Sequence, residues 1–217
     1  MIQLRSDFRD WYDFGFDRCG IVFERVASGG MPRREAFQYM AGLGLRVPRH
    51  GKVRDLVPVL LAEMPDDLRP YAATHLIDCV VYLDERSHCG EGKIKLSADE
   101  AMVSYPDLLC SEHLPATASG NGRSLRYLQV GDRKWWIEYR SANDWRSNAG
   151  EVTTTVLAEE AAGYHPNIDR PLFAIDFVPA ADGLYAVDFN TAPGCAPLNG
   201  LIRASEICHL IEGAMRK

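Results

Sequence analysis

The sequence predicts a mixed α+β fold whose sheets are built from antiparallel hairpins rather than repeated βαβ units. Three observations lead there. Paired apolar runs flank short turns at Gly131-Asp-Arg133 and Pro179-Ala-Ala-Asp-Gly183. Segments with helical apolar spacing are interspersed among those runs. The 217 residues, 47% hydrophobic and 25% charged, suffice for one large domain or two small ones around a core.

Taken in order, residues 1–20 are rich in aromatics and Asp. Met1 to Asp10 carries charges and no apolar h-region, so no signal peptide is expected. Gly20-Ile-Val-Phe-Glu-Arg25 reads as a short strand and Ser28-Gly-Gly30 as a turn. Pro32 stands where a helix can begin. Phe37, Met40 and Leu43 have helical spacing, and Gly42 and Gly44 end the helix. Val53 to Met64 reads as a second helix. Ile77 to Leu83 is a nearly continuous apolar strand, Asp84 to Gly92 a polar loop, and Lys93-Ile-Lys-Leu96 a strand with both lysines on one face. Ser97-Ala-Asp-Glu100 has capping-box spacing and opens a helix.

Leu108 to Cys110 reads as a strand before Glu112. Ser119-Gly-Asn-Gly122 is a turn, and Ser124 to Val130 and Lys134 to Arg140 form a hairpin. Trp135 and Trp136 continue an apolar pattern with Ile137 and Tyr139 and are read as packing. Thr153 to Ala162 is expected to be a helix. Leu172 to Val178 and Leu184 to Phe189 form a second hairpin, and Leu201 to Met215 is an amphipathic terminal helix.

Charge and cysteines narrow the function classes. A net charge of −6 disfavours a general phosphate-backbone binder and leaves a local basic groove open. No apolar run approaches the ~18–20 residues of a membrane span. The six cysteines are widely spaced, with no Cys-x-x-Cys and no zinc-finger spacing. Free thiols in a reducing cytoplasm are expected.

Three constellations carry chemistry. Period 2 places Asp188 and Asn190 on one strand face, and an antiparallel partner could bring Asp176 there. Two carboxylates and an amide oxygen are hard ligands suited to Mg²⁺ bridging phosphates; the same acids could instead face solvent on an ordinary hairpin. Arg140-Ser-Ala-Asn-Asp-Trp-Arg146-Ser-Asn148 offers guanidinium forks for phosphate or carboxylate, or is a polar loop whose Asn and Ser make turns. Ser87-His-Cys-Gly-Glu-Gly-Lys93 could close over phosphates with its backbone N–H groups, or be a plain hairpin turn.

The order of these pieces resembles the C-terminal half of the ATP-grasp ligases over roughly residues 124–195. The carrying motifs are Asp144-Trp-Arg-Ser-Asn148, Ala174-Ile-Asp-Phe-Val178 and Ala186-Val-Asp-Phe-Asn-Thr-Ala-Pro-Gly194. The branch with the ribosomal-protein glutamate ligases is the most similar. Upstream, Val80 to Ile94 resembles the family's strand and glycine-rich lid, and Met31 to Pro48 the helix before it. Tyr82 or Leu83 stands where the family has a strand lysine, and Arg33 and Arg34 where it often has Asp-Lys. Those departures resemble a divergent branch common in phage genomes.

The resemblance implies an α+β ATP-grasp fold, two subdomains with antiparallel sheets gripping nucleotide between them. The divisions would be a short N-terminal segment, 1–48, in place of the family's separate domain; a lid unit, 49–115; and a C-terminal unit, 116–217, with the metal site. It implies ATP and Mg²⁺, with Asp176, Asp188 and Asn190 as metal ligands. Arg146 and Asn148 would face the γ-phosphate and acyl phosphate. Arg140 or Arg126 would hold a substrate carboxylate, and Arg33, Lys93 and Lys95 would contact phosphates. Ser111-Glu-His-Leu114 resembles the segment that holds adenine and ribose, which brings in Glu112 and Leu114.

The implied activity is a cytoplasmic carboxylate–amine ligase working through an acyl phosphate. Its substrate is a small molecule, peptide or protein carrying a carboxylate, joined to an amine acceptor. A protein partner could complete the site; neither a membrane nor a nucleic acid is expected. The alternative is a degenerate domain that binds nucleotide or a partner without catalysis.

Overall fold

Alternating apolar and polar positions over residues 123–190 build a five-stranded sheet. In the computed structural model its strands are β7 (Arg123–Val130), β8 (Arg133–Ser141), β9 (Val152–Glu159), β10 (Leu172–Ala180) and β11 (Gly183–Asn190). They lie in the order β11-β10-β7-β8-β9, and every pairing is antiparallel. Residues 2–6, 21–25, 31–86, 91–159, 168, 170–191 and 193–215 are described. Residues 7–20 of the aromatic- and Asp-rich start, the Ser28-Gly-Gly30 turn and Ser87–Gly90 lie outside them.

A second, four-stranded antiparallel sheet has the order β3-β6-β4-β5, from His50–Lys52, Leu109–Glu112, Asp78–Tyr82 and Lys93–Ser97. A parallel pair, β1 (Ile2–Ser6) with β2 (Ile21–Arg25), completes the strands; β1 was not expected. The helices are α1 (Arg33–Gly42), α2 (Val53–Ala62), a single turn α3 (Arg69–Tyr71), α4 (Ala98–Ser104) and α5 (Ala204–Met215). Ser97 and Glu100 form the expected capping box at α4. Among the described residues no helix is long and apolar enough to cross a membrane.

Both sheets are covered on two faces. Ile207 and Ile211 of α5 pack on Leu128, Val130, Trp135, Ile137 and Leu172. Val53, Leu56, Val57 and Leu60 of α2 pack on Cys79, Val81 and Cys110. Between the sheets, Ala36, Phe37 and Met40 of α1 join Val80 and Tyr82 of β4 to Tyr127, Trp136, Phe173, Ile175 and Phe189 of the larger sheet. Phe37 and Met40 are fully buried at this junction, each contributing roughly 1.5–3 kcal/mol by leaving water. The wedge fixes how β4 and β5 stand against β10 and β11.

Two expectations are corrected. Residues 153–159 are strand β9, not a helix, and pair with β8 from Trp135↔Glu159 to Ser141↔Val152. The run Val152-Thr-Thr-Thr-Val156 is β-branched and suits a pleated strand better than a helical turn. Among the described residues β9 pairs on one side only, and most of its side chains are exposed. Cys79, Cys110 and Cys195 are free thiols, but Cys208 is disulfide-bonded, so not every cysteine is free. Sequence spacing cannot reveal a pairing that the tertiary fold makes.

Candidate functional site

The site begins with a register. Asp176 of β10 is the Cα partner of Asp188 of β11, and Ala174 that of Asn190. Side-chain alternation therefore sets Asp176, Asp188 and Asn190 on one face. Asn190 Nδ2 lies 3.5 Å from Asp176 Oδ2. The next pair is Phe177↔Ala186, which leaves Val187 as an extra residue, a β-bulge.

Two arginines meet these carboxylates. Arg126 of β7 is the cross-strand partner of Asp176 and donates from Nε to Oδ1 at 2.7 Å and from Nη2 to Oδ2 at 3.0 Å. Arg33 Nη1, at the start of α1, lies 2.6 Å from Asp188 Oδ1 and donates to the Val187 carbonyl at 2.7 Å. Its guanidinium also lies over the Tyr82 ring, 5.5 Å from the centroid. Burial works against both charges, but Asp188 for Arg33 and Asp176 for Arg126 more than offset it, so both pKa values end above the usual one.

The four-stranded sheet contributes Lys93. It is the cross-strand partner of Tyr82, as Lys95 is of Val80, so both lysines lie on the sheet face that carries Tyr82 and Val80. Tyr82 Oη and Ser111 Oγ share a hydrogen bond of 3.2 Å on that face. Lys93 forms no ion pair with a described residue, and its ammonium lies 5.6 Å from the Trp145 ring centroid. Burial, then repulsion from Arg33, lowers its pKa to about 8.

The loop after β8 carries Trp145 and Arg146 and is tightly bonded. Ser141 Oγ donates to the Ala149 carbonyl at 2.6 Å and accepts from Asp144 N at 3.0 Å. Arg146 donates from its backbone N and from Nε to Asp144 Oδ1, at 2.8 and 3.0 Å, and from Nη2 to Oδ2 at 2.9 Å. The hydrogen bonds from Arg146 hold the Asp144 carboxyl down at about 2. Gly122 N donates to the Asp144 carbonyl at 2.7 Å, and Ser124 and Ser147 share a 2.7 Å hydrogen bond. A Cβ on Gly122 would overlap the backbone of Arg146 and Ser147, so only glycine lets the loop come this close.

Arg33, Lys93, Arg126, Arg146, Asp176, Asp188 and Asn190 thus come together. Among the described residues four cations face three carboxylates here, counting Asp144, one positive charge more than negative. The other sequence candidates lie apart from this group. Arg140 donates to Glu138 at 2.7 and 3.1 Å; strand alternation puts both on the face opposite Arg126. Lys95 pairs with Asp78 at 3.4 Å. Glu112 accepts from Arg49 N at 2.9 Å and Nε at 2.7 Å, in the register row of Cys79. Asn148 is exposed and Leu114 half-buried. Asp144 and Trp145 join the group although the sequence marks neither by itself; their signal is the Asp-x-Arg spacing of a side-chain-closed turn.

The donor set fits Mg²⁺ in part. Asp176, Asp188 and Asn190 offer hard oxygens that are about four-fifths buried at the two acids. Among the described residues no group of three or more His, Cys, Asp or Glu gathers around one point. An ion here would need the rest of its shell from phosphate oxygens and water.

No family model matches the sequence, and no curated protein does. Solved structures do match. The chain is similar to D-cycloserine synthetase DcsG, with a TM-score of 0.56 at 14% identity over 99% of both chains. It is similar to D-alanine–D-alanine ligase from Bacillus anthracis complexed with ATP, with a TM-score of 0.49 at 12% identity, over 97% of this chain and 75% of that one. It is also similar to the RimK domain protein ATP-grasp from Sphaerobacter thermophilus DSM 20745, with a TM-score of 0.45 at 14% identity, over 86% and 67%.

Proposed function

We propose that this chain, whose fold is the ATP-grasp fold, is an ATP-dependent carboxylate–amine ligase. The observation that carries the reading is the Asp176/Asp188 row of β10 and β11, met by Lys93 from the opposing sheet and by Arg33, Arg126 and Arg146. The excess of positive charge around this row, among the described residues, suits a polyphosphate better than a neutral ligand. In this reading residues 49–115 are the lid unit, 116–217 the unit with the metal ligands, and 1–48 a short N-terminal segment.

Asp176, Asp188 and Asn190 would hold Mg²⁺, which neutralises phosphate charge when bound. Lys93 and Arg33 bind and orient the phosphate chain. Arg146 faces the γ-phosphoryl group and stabilises the charge spread over its oxygens during transfer. A substrate carboxylate oxygen attacks the γ-phosphorus, the bond to the β–γ bridging oxygen breaks, and ADP leaves. An amine then attacks the acyl carbon; its proton goes to solvent and inorganic phosphate departs with the acyl C–O electrons. Arg126 keeps the Asp176 carboxylate turned toward the site. The carboxylate donor is a small molecule, peptide or protein.

One observation favours a second reading. Both carboxylates among the three candidate metal ligands are already paired with guanidinium groups, as in a domain that binds nucleotide without turning it over. Thermal unfolding with ATP and Mg²⁺ comes first: ligand at 100 times its Kd adds about 2.7 kcal/mol, a rise of roughly 5–10 °C for a chain of this size. ADP release that requires Mg²⁺ and an amine acceptor supports the ligase. A shift without turnover supports the binding domain, and no shift with any nucleotide removes both.

A further inference from the structure

We infer that Trp145 is a positioning residue for phosphate binding: its ring holds the Lys93 ammonium beside the Arg146 guanidinium, which Asp144 fixes, until a polyphosphate takes them. The inference rests on the nucleotide-binding reading and names a residue that reading does not use. Two other segments, and the neighbouring Arg146, meet this one indole. Lys93 Nζ of β5 lies 5.6 Å from the ring centroid, the Arg146 guanidinium carbon 5.9 Å, and the His113 ring, just past β6, meets it edge-on at 6.0 Å. Trp145 belongs to the larger sheet's loop, whereas Lys93 and His113 belong to the smaller sheet's side, so the ring bridges the two.

The loop gives the ring little freedom. Asp144 is pinned by Ser141 on one side and Gly122 on the other, and Arg146 by Asp144. Trp145 also packs against the cluster that α1 shares with both sheets. Lys93, by contrast, has neither a carboxylate within ion-pair distance nor a carbonyl hydrogen bond among the described residues. Asp188 and Asp176 attract this ammonium from beyond ion-pair distance while Arg33 and Arg146 repel it, and the Trp145 π face adds a close partner that favours the charged form. Lys93 is the cross-strand partner of Tyr82, so the strand pairing sets its Cα and the indole aims its ammonium.

The test is a double-mutant cycle, Trp145→Leu against Lys93→Met, with calorimetric Kd values for adenylyl imidodiphosphate and Mg²⁺. Trp145→Leu is expected to weaken binding about fivefold, the scale of a partly desolvated cation–π contact. Trp145→Phe, which keeps a ring, is expected to stay within about twofold of wild type. In the Lys93→Met background the Trp145→Leu penalty is expected to shrink markedly, to the part that acts through Arg146. An equal penalty in both backgrounds, with wild type binding normally, overturns the positioning role and leaves the nucleotide reading intact. A wild type that binds no nucleotide overturns both. Should Trp145→Leu fail to fold, Trp145→Gln runs the same cycle without a π face.

Discussion

Arg126 and Asp176 are cross-strand partners whose side chains meet through two parallel hydrogen bonds, 2.7 and 3.0 Å long. Each side chain is about four-fifths buried. Removing one partner leaves a charge with little water to solvate it, so Arg126→Met should cost about 2–4 kcal/mol in urea unfolding. Arg126→Lys should recover little of that, because a point charge cannot replace the fork.

The metal site should need its nucleotide. Two carboxylates and one amide, each acid already accepting from an arginine, leave most of an octahedral shell to phosphates and water. Mg²⁺ alone is expected to leave the thermal midpoint unchanged, and Mg²⁺ with ATP to raise it. Asp188→Asn should abolish Mg²⁺-dependent ADP release while far-UV circular dichroism stays as in wild type.

Lys93 sets a pH dependence. Its folded pKa of about 8 lies below the usual 10.5, so the burial cost of the ammonium is fully present below pH 8. That cost is relieved as pH rises from 8 toward 10.5, and the ligand-free protein should gain stability from this group over that window. Polyphosphate affinity runs the other way, because only the ammonium attracts phosphate. Calorimetric Kd for ATP is expected to rise through pH 8–9 in wild type and to stay flat in Lys93→Met, which should also melt higher at pH 7 without nucleotide.

Gly122 fixes the approach of the loop that carries Trp145 and Arg146. A methyl group there meets Arg146 and Ser147 backbone, which cannot swing aside as a side-chain tip would. Gly122→Ala should therefore cost about 1–3 kcal/mol and lower turnover on the order of 10²-fold by moving Arg146. Arg146→Ala should lower kcat with little change in ATP Kd if the guanidinium acts on the transferring group.

Acid should release the same loop. The Asp144 carboxyl is held at about 2 against a usual 3.8, so the Arg146 pair adds stability above the usual value and loses it as pH falls from about 4 to 2. Trp145 fluorescence, isolated by difference against Trp145→Phe, should change over that range and not between pH 5 and 7.

Much of this was legible because period and punctuation agree locally. The hairpin at Gly131 and the Ser97 capping box follow from residues close in sequence. The Asp188/Asn190 face follows from alternation alone. What sequence could not supply is the answer to a carboxylate from far along the chain. Arg33 reaches Asp188 across 155 positions, and only the bulge at Val187 and the α1 wedge bring them together. Strand β9 differs from the expected helix for the converse reason: the local sequence carries no periodicity that decides between the two, and the pairing with β8, which suits its β-branched residues, settles the outcome.

That strand also governs how the protein behaves in a concentrated tube. Seven successive residues, Val152 to Ala158, carry no charge and no proline, on a border that pairs only inward among the described residues. Such a border is a template for a neighbouring chain's backbone, and light scattering should rise with concentration during heating. A lysine at Thr154, whose side chain is exposed, should delay that rise without touching ATP binding.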